Sequence, residues 1–227
     1  MTIYENLMNN EYSKKALDYL KNDIQIDIED FINKISKETP NDIDFFIDLI
    51  YFMKDIENTE EIGNYQKINE EFMEFYKIKT GETEINETTA RYQIFDVMRH
   101  CCLNFKEDGI IGAYKQSEGD SWYPKIIITE FIGKKEDIEL LDDEIIIYRG
   151  TSLKEFDSNK FRQSWTLDKE IASKFAYTHY TDRKGIRVIL ETKIKKNDIF
   201  YYDKNDNEKE IIVNSMILNQ NNVKIMK

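Results

Sequence analysis

Cysteine and histidine are scarce in this 227-residue chain, which has two of each: Cys101, Cys102, His100 and His179. Adjacent cysteines seldom bridge without strain, and neither has another thiol to reach. Both are therefore read as reduced residues of a core or a helix face. Two cysteines and two histidines so placed do not assemble a zinc set, and no metal is expected. Neither histidine stands in a motif that would make it the base for a serine or cysteine nucleophile. Long apolar runs are missing too, so no membrane-spanning helix is expected. The opening Met1-Thr2-Ile3-Tyr4-Glu5-Asn6 lacks the basic head and apolar centre of a signal peptide. A cytoplasmic location, or delivery into a target cell without such a signal, is the expectation. Positive charge is in deficit as well: 32 Lys and Arg against 44 Asp and Glu leave a formal charge of −12. That balance opposes nonspecific attraction to nucleic-acid backbones and anionic membranes.

What the chain does have is enough apolar content, 41%, to build a core, with 33% charged residues to keep its surface solvated. The first third has helical spacing. Tyr12, Ala16, Tyr19 and Leu20 recur on one face, then Ile28, Phe31, Ile32 and Ile35. Pro40 breaks the pattern, and Asn41 or Asp42 is placed to cap a helix carrying Ile43, Phe46, Ile47, Ile50 and Met53. A further helix carries Tyr65, Ile68, Phe72, Phe75 and Tyr76. Such aromatic stripes serve either as core between helices or as a partner-binding groove, and core packing is the simpler reading. Lys77 to Thr83, with Gly81, marks the expected boundary between a helical N-terminal region, residues 1–80, and a second region, residues 81–227. The second region opens with a helix carrying Tyr92, Phe95, Met98, Cys102 and Phe105, which Asp108-Gly109 and Gly112 are expected to end. Pro124 then introduces an extended run, Lys125 to Thr129.

Asp143 to Gly150, Asp-Glu-Ile-Ile-Ile-Tyr-Arg-Gly, reads as a strand covered on both faces that stops at Arg149-Gly150. This puts a permanent forked cation, suited to a pyrophosphate or carboxylate, at a strand mouth, while Gly150 permits a turn or a close approach to a ligand. A polar loop follows, then Ser164-Trp165-Thr166 and a helix whose apolar face is Ile171, Ala172, Phe175 and Ala176. Thr166 serves as N-cap there. Capping leaves Ser164 unexplained, although it shares a face with Thr166 if the segment is extended. A polar, aromatic-rich loop, Tyr177 to Gly185, precedes strands over Ile186–Ile194 and Asp198–Tyr202. The turn Asp203 to Asn207 leads to Glu208-Lys209-Glu210-Ile211-Ile212-Val213, read as a strand with both glutamates on one face.

The order strand-Arg, Ser-x-Thr, helix, strand and Glu-x-Glu resembles the Arg-Ser-Glu branch of the ADP-ribosyltransferase superfamily. The resemblance spans the chain from Asp143 to its end, and the helical part from about Ile85 would be that fold's helical lobe. It implies an α+β architecture in which the helical N-terminal region precedes a split β-sheet core with flanking helices. It also implies NAD as cosubstrate. By position, Arg149 matches the arginine that holds the NAD phosphates or the nearby ribose, with Gly150 beside it. Ser164 matches the first serine of the family's Ser-Thr-Ser, which shapes the nicotinamide pocket and steadies the catalytic glutamate. Thr166 keeps a hydroxyl at the third position, and Trp165 departs from the usual threonine. Glu210 matches the catalytic glutamate. Glu208 matches the preceding acid that accompanies arginine acceptors. Phe175, Tyr177 or Tyr180 would stack on nicotinamide or adenine, with core packing the simpler role for Phe175. The implied activity is mono-ADP-ribosyl transfer to a protein arginine by a bacterial or phage toxin or effector, with an inhibitor or antitoxin as a further partner. A nucleic-acid acceptor, simple NAD hydrolysis and a non-catalytic interaction protein are the competing readings.

Overall fold

The structure, a computed structural model, describes residues 2–59, 65–117, 122–179 and 185–226. The fold is α+β, with helices first and an antiparallel sheet in the C-terminal part. The chain divides into two compact units, Met1–Ile127 and Ile128–Lys227.

The first unit contains α1 (Ile3–Asn9), α2 (Glu11–Asn22), α3 (Ile28–Glu38), α4 (Ile43–Glu57), α5 (Tyr65–Thr80) and α6 (Ala90–Ser117). Side-chain caps start several of these: Asn10 accepts from the Tyr12 and Ser13 amides, and Asp27 from the Asp30 amide. Asp42 stands at the N-cap of α4 but makes no capping bond; its carboxylate accepts from Arg91 Nη1 at 2.7 Å. The aromatic stripes fill the core. Phe46, Phe72, Tyr76 and Phe95 are fully buried, with Phe52 stacked on Phe75 and Tyr76 tilted against Phe95. Tyr12 and Tyr65 are exceptions on their stripes: Tyr12 is 53% exposed and stacks on Tyr51, and Tyr65 is 38% exposed.

α6 is interrupted at Gly109 (φ +63°), where a break was expected. Helix resumes beyond it through Gly112, burying Ala113 and Tyr114. The division at residue 127 places α6 in the first unit, whereas the sequence boundary at residue 80 assigned it to the second. Its buried Phe95, Met98 and Cys102 belong to the helical core, and Cys102 Sγ lies 3.7 Å from the Met53 carbonyl. Burial pushes the Cys101 thiol up to about 12 and raises that of Cys102 further, so both stay protonated and inert. The run from Lys125 is extended and forms an isolated bridge, Ile26 with Ile126.

The second unit contains α7 (Lys135–Glu139), β1 (Glu144–Ser152), α8 (Leu153–Asp157), β2 (Ser164–Thr166), α9 (Lys169–Tyr177), β3 (Arg187–Lys195), β4 (Ile199–Tyr202), β5 (Glu210–Val213) and β6 (Val223–Ile225). Among the described residues these strands make one six-stranded sheet, ordered β4-β5-β2-β1-β3-β6 and antiparallel throughout. β1 and β3 pair along their whole length, from Glu144↔Lys195 to Ser152↔Arg187. β1 and β2 share a single registered pair, Tyr148↔Thr166.

One face of the sheet buries Ile147, Trp165, Leu190, Ile211 and Val213 in a common core. On the other, Ala172 and Ala176 of α9 pack with Ile189 and Tyr148. Gly150 makes this possible: a Cβ there would lie 2.0 Å from the Ala172 carbonyl oxygen and 2.5 Å from the Ala176 nitrogen. Arg187 of β3 then caps the C-terminal turn of α9, donating to the Phe175 and Ala176 carbonyls at 3.2 Å.

Two expectations for β1 are corrected here. The strand does not stop at Gly150 but runs on to Ser152, so Arg149 lies inside it rather than at its mouth. Nor is it covered on both faces. Ile146 is 48% exposed, because α9 meets β1 at Gly150 and leaves the strand's first half open on that side.

Candidate active site

Ser164 and Glu210 come together where β2 and β5 run side by side, and Arg149, which leaves β1 on the Trp165 side of the sheet, reaches the Ser164 backbone. β2 and β5 are registered Ser164↔Ile212 and Thr166↔Glu210, which makes Ser164 and Glu210 diagonal neighbours on one face. The Ser164 hydroxyl donates to Glu210 Oε1 at 2.6 Å, and both residues are half-buried. Arg149 Nη1 donates to the Ser164 carbonyl at 2.5 Å. The guanidinium thus meets β2 at the Ser164 backbone carbonyl, while the Ser164 hydroxyl meets the Glu210 carboxylate; the three-pair ladder of β2 with β5 fixes the second contact, and the single β1–β2 pair does little for the first. Trp165, between Ser164 and Thr166, points to the opposite face, is 2% exposed, and donates its indole N–H to the Arg162 carbonyl. Its size therefore bears on the core and leaves the Ser164 face unaltered.

Arg149 is also committed to a carboxylate that sequence reasoning missed. Its Nε donates to Glu155 Oε1 at 2.9 Å and its Nη2 to Oε2 at 3.4 Å, with the two side chains 12% and 11% exposed. Glu155 accepts further from the Thr151 hydroxyl at 2.5 Å and from the Arg162 amide at 3.1 Å. Burial alone would raise its pKa. The Arg149 charge and these donors outweigh that and hold the carboxyl below its usual range. The segment read as a polar loop is in part α8, capped by the Ser152 hydroxyl, which accepts from the Glu155 amide. The signal was present as Ser-x-x-Glu, a capping-box spacing.

The other expected site residues have different surroundings. Glu208 is exposed and sits in a turn; β5 begins only at Glu210. The two glutamates do not alternate along one strand, because Lys209 between them adopts a left-handed backbone (φ +48°). Lys209 Nζ meets Asp168 at 2.9 Å, and the Thr166 hydroxyl donates to the Glu208 carbonyl at 2.7 Å, anchoring the turn to β2 and the start of α9. Thr166 is therefore not the N-cap of α9. It ends β2 and accepts from the Asp168 amide, while Asp168 caps the helix through the Glu170 amide. At 5% exposure, Thr166 presents its hydroxyl to the protein itself. The close approach made by Gly150 is to α9. Phe175 is half-buried with its ring 5.2 Å from that of His179, and Tyr177 is 55% exposed. Tyr180 lies outside the described residues.

Gln163 is a second residue missed from sequence. Its buried side-chain amide donates to the Ile128 and Val213 carbonyls and accepts from the Ile128 amide, tying the Ile128 backbone to the end of β5. Among the described residues no group of three or more His, Cys, Asp or Glu is placed to hold a metal, and no helix is long and apolar enough to cross a membrane. No protein-family model matches this chain, and neither does a curated protein or a solved structure.

Proposed function

We propose that this chain is an NAD-dependent mono-ADP-ribosyltransferase whose site is built on Arg149, Ser164 and Glu210, with a protein arginine as acceptor. The observation that carries the reading is the hydrogen bond from the Ser164 hydroxyl to Glu210 Oε1 at 2.6 Å, with Arg149 on the Ser164 carbonyl. These residues come from separate parts of the sequence, and their contacts across β1, β2 and β5 support the reading.

The chemistry asked of them is modest and suits them. Breaking the nicotinamide–ribose bond sends the bonding pair to nicotinamide and leaves positive charge on the ribose ring. Glu210, oriented by Ser164, is a fixed carboxylate that accepts from a ribose hydroxyl and stabilises that charge as it develops. The acceptor nitrogen then bonds to the ribose carbon and loses a proton. Glu208, exposed two residues away, is the group available to take it. Glu208 as base also favours a cationic acceptor, in keeping with the acidic balance of the chain.

The test is incubation of the purified protein with labelled NAD and a cell lysate, followed by protease or nuclease. The expected result is protease-sensitive label that a Glu210→Gln variant loses, with turnover down about 10²–10³-fold. Nuclease-sensitive label would move the acceptor to nucleic acid, and nicotinamide release without label would mean hydrolysis. No NAD binding and no NAD consumption would refute the proposal and leave a non-catalytic interaction protein.

A further inference from the structure

We propose that Glu155 is a positioning residue that sets Ser164 against Glu210 by gripping the Arg149 guanidinium. The inference rests on the NAD reading above and extends it to a residue that the motif does not contain. β1 and β2 share only the pair Tyr148↔Thr166, so the backbone ladder does little to fix the Ser164 end of β2 relative to β1. Side chains do that instead. The Glu155 carboxylate collects Arg149 Nε and Nη2 and the Thr151 hydroxyl from β1, and the Arg162 amide from the segment entering β2. Arg149 so held reaches the Ser164 carbonyl through Nη1. The line from Glu155 through Arg149 and Ser164 to Glu210 is continuous.

The charge arithmetic points the same way. Arg149 and Glu155 are nearly closed to solvent and lie in contact, so together they bring almost no net charge to the site. A guanidinium whose Nε–Nη2 edge is taken by a carboxylate contributes geometry more than ionic attraction. Arg149 is then mainly a strut, and grip on a diphosphate has to draw on other donors. A strut that misplaces a catalytic carboxylate by about 1 Å costs on the order of 10²-fold in rate. Removing it should therefore lower kcat and leave affinity almost unchanged.

The experiment uses the full chain with Glu155→Gln, which keeps the shape and loses the charge, and Glu155→Asp, which keeps the charge and loses the reach. Nicotinamide release at saturating NAD, NAD affinity by titration, and amide exchange over residues 162–166 and 210–213 are measured together. The expected result is a kcat lower by about 10–100-fold with affinity held within about threefold in both variants. Exchange at β2 and β5 should rise about tenfold while β3 and β6 stay protected. A raised KM at unchanged kcat would make Glu155 a ligand contact and overturn the proposal. So would unchanged exchange, faster exchange with undiminished turnover, or protection lost throughout the sheet unit. If the wild-type chain neither binds nor cleaves NAD, the functional reading fails, and the exchange pattern alone decides for or against the strut.

Discussion

Replacing Gly150 by alanine is the sharpest perturbation of the sheet unit. The added Cβ would lie 2.0 Å from the Ala172 carbonyl oxygen, 2.5 Å from the Ala176 nitrogen and 3.0 Å from the Phe175 carbonyl carbon. All three are backbone atoms of α9, so no side chain can swing away. Contact at ordinary van der Waals distance requires the helix to retreat by more than about 1 Å. That movement would loosen Ala172 and Ala176 from Ile189 and strain the Arg187 bonds to the Phe175 and Ala176 carbonyls. Overpacking of this kind typically costs about 1–3 kcal/mol, and the rigid partners place Gly150→Ala at the upper end, about 3 kcal/mol. The assay is urea unfolding followed by Trp165 fluorescence in a Trp122→Phe background, so that the buried indole reports on the sheet unit. Gly133→Ala is the control. Its Cβ would meet Tyr201 and Tyr202 at 3.4 Å, an ordinary contact, and should change stability by less than about 0.5 kcal/mol. If Gly150→Ala cost no more than the control, the close packing of β1 on α9 would be refuted.

Gln163→Ala should cost about 2–4 kcal/mol by the same fluorescence assay, because it strands the buried Ile128 amide and carbonyl; a loss under about 1 kcal/mol would mean that water replaces the side chain. Glu155 also gives a pH dependence with a definite sign. Its folded pKa is depressed, so its stabilising contribution is complete above the unfolded carboxylate value of about 4.3 and is lost as pH falls through the folded value. The stability gap between wild type and Glu155→Gln should thus be largest at neutral pH and shrink toward pH 3; a gap independent of pH would remove the charge from the account.

Local chemistry was enough to place most elements. Ile28, Phe31, Ile32 and Ile35 mark α3 by their spacing, and β-branched runs mark β1 and β3. Ser164 stood out because capping left it unexplained, and it does reach Glu210. Where neighbours in space outweighed neighbours in sequence, the reading went astray. Thr166 looked like a helix cap but is a strand end, because pairing with Glu210 extends it and leaves the cap to Asp168. Glu208 looked like a strand residue, but the left-handed Lys209 turns it out of β5, and no residue type there announces that conformation. Arg149 was visible as a lone cation on an apolar strand. Its partner was not, because the Ser-x-x-Glu spacing of α8 says only that a helix begins, and the fold alone turns that glutamate's side chain back onto β1. Periodicity and capping act within a few residues along the chain, so they could be read from it. The link from Glu155 to Glu210 depends on contacts between residues up to 46 positions apart, and it exists only once β1, β2 and β5 lie side by side.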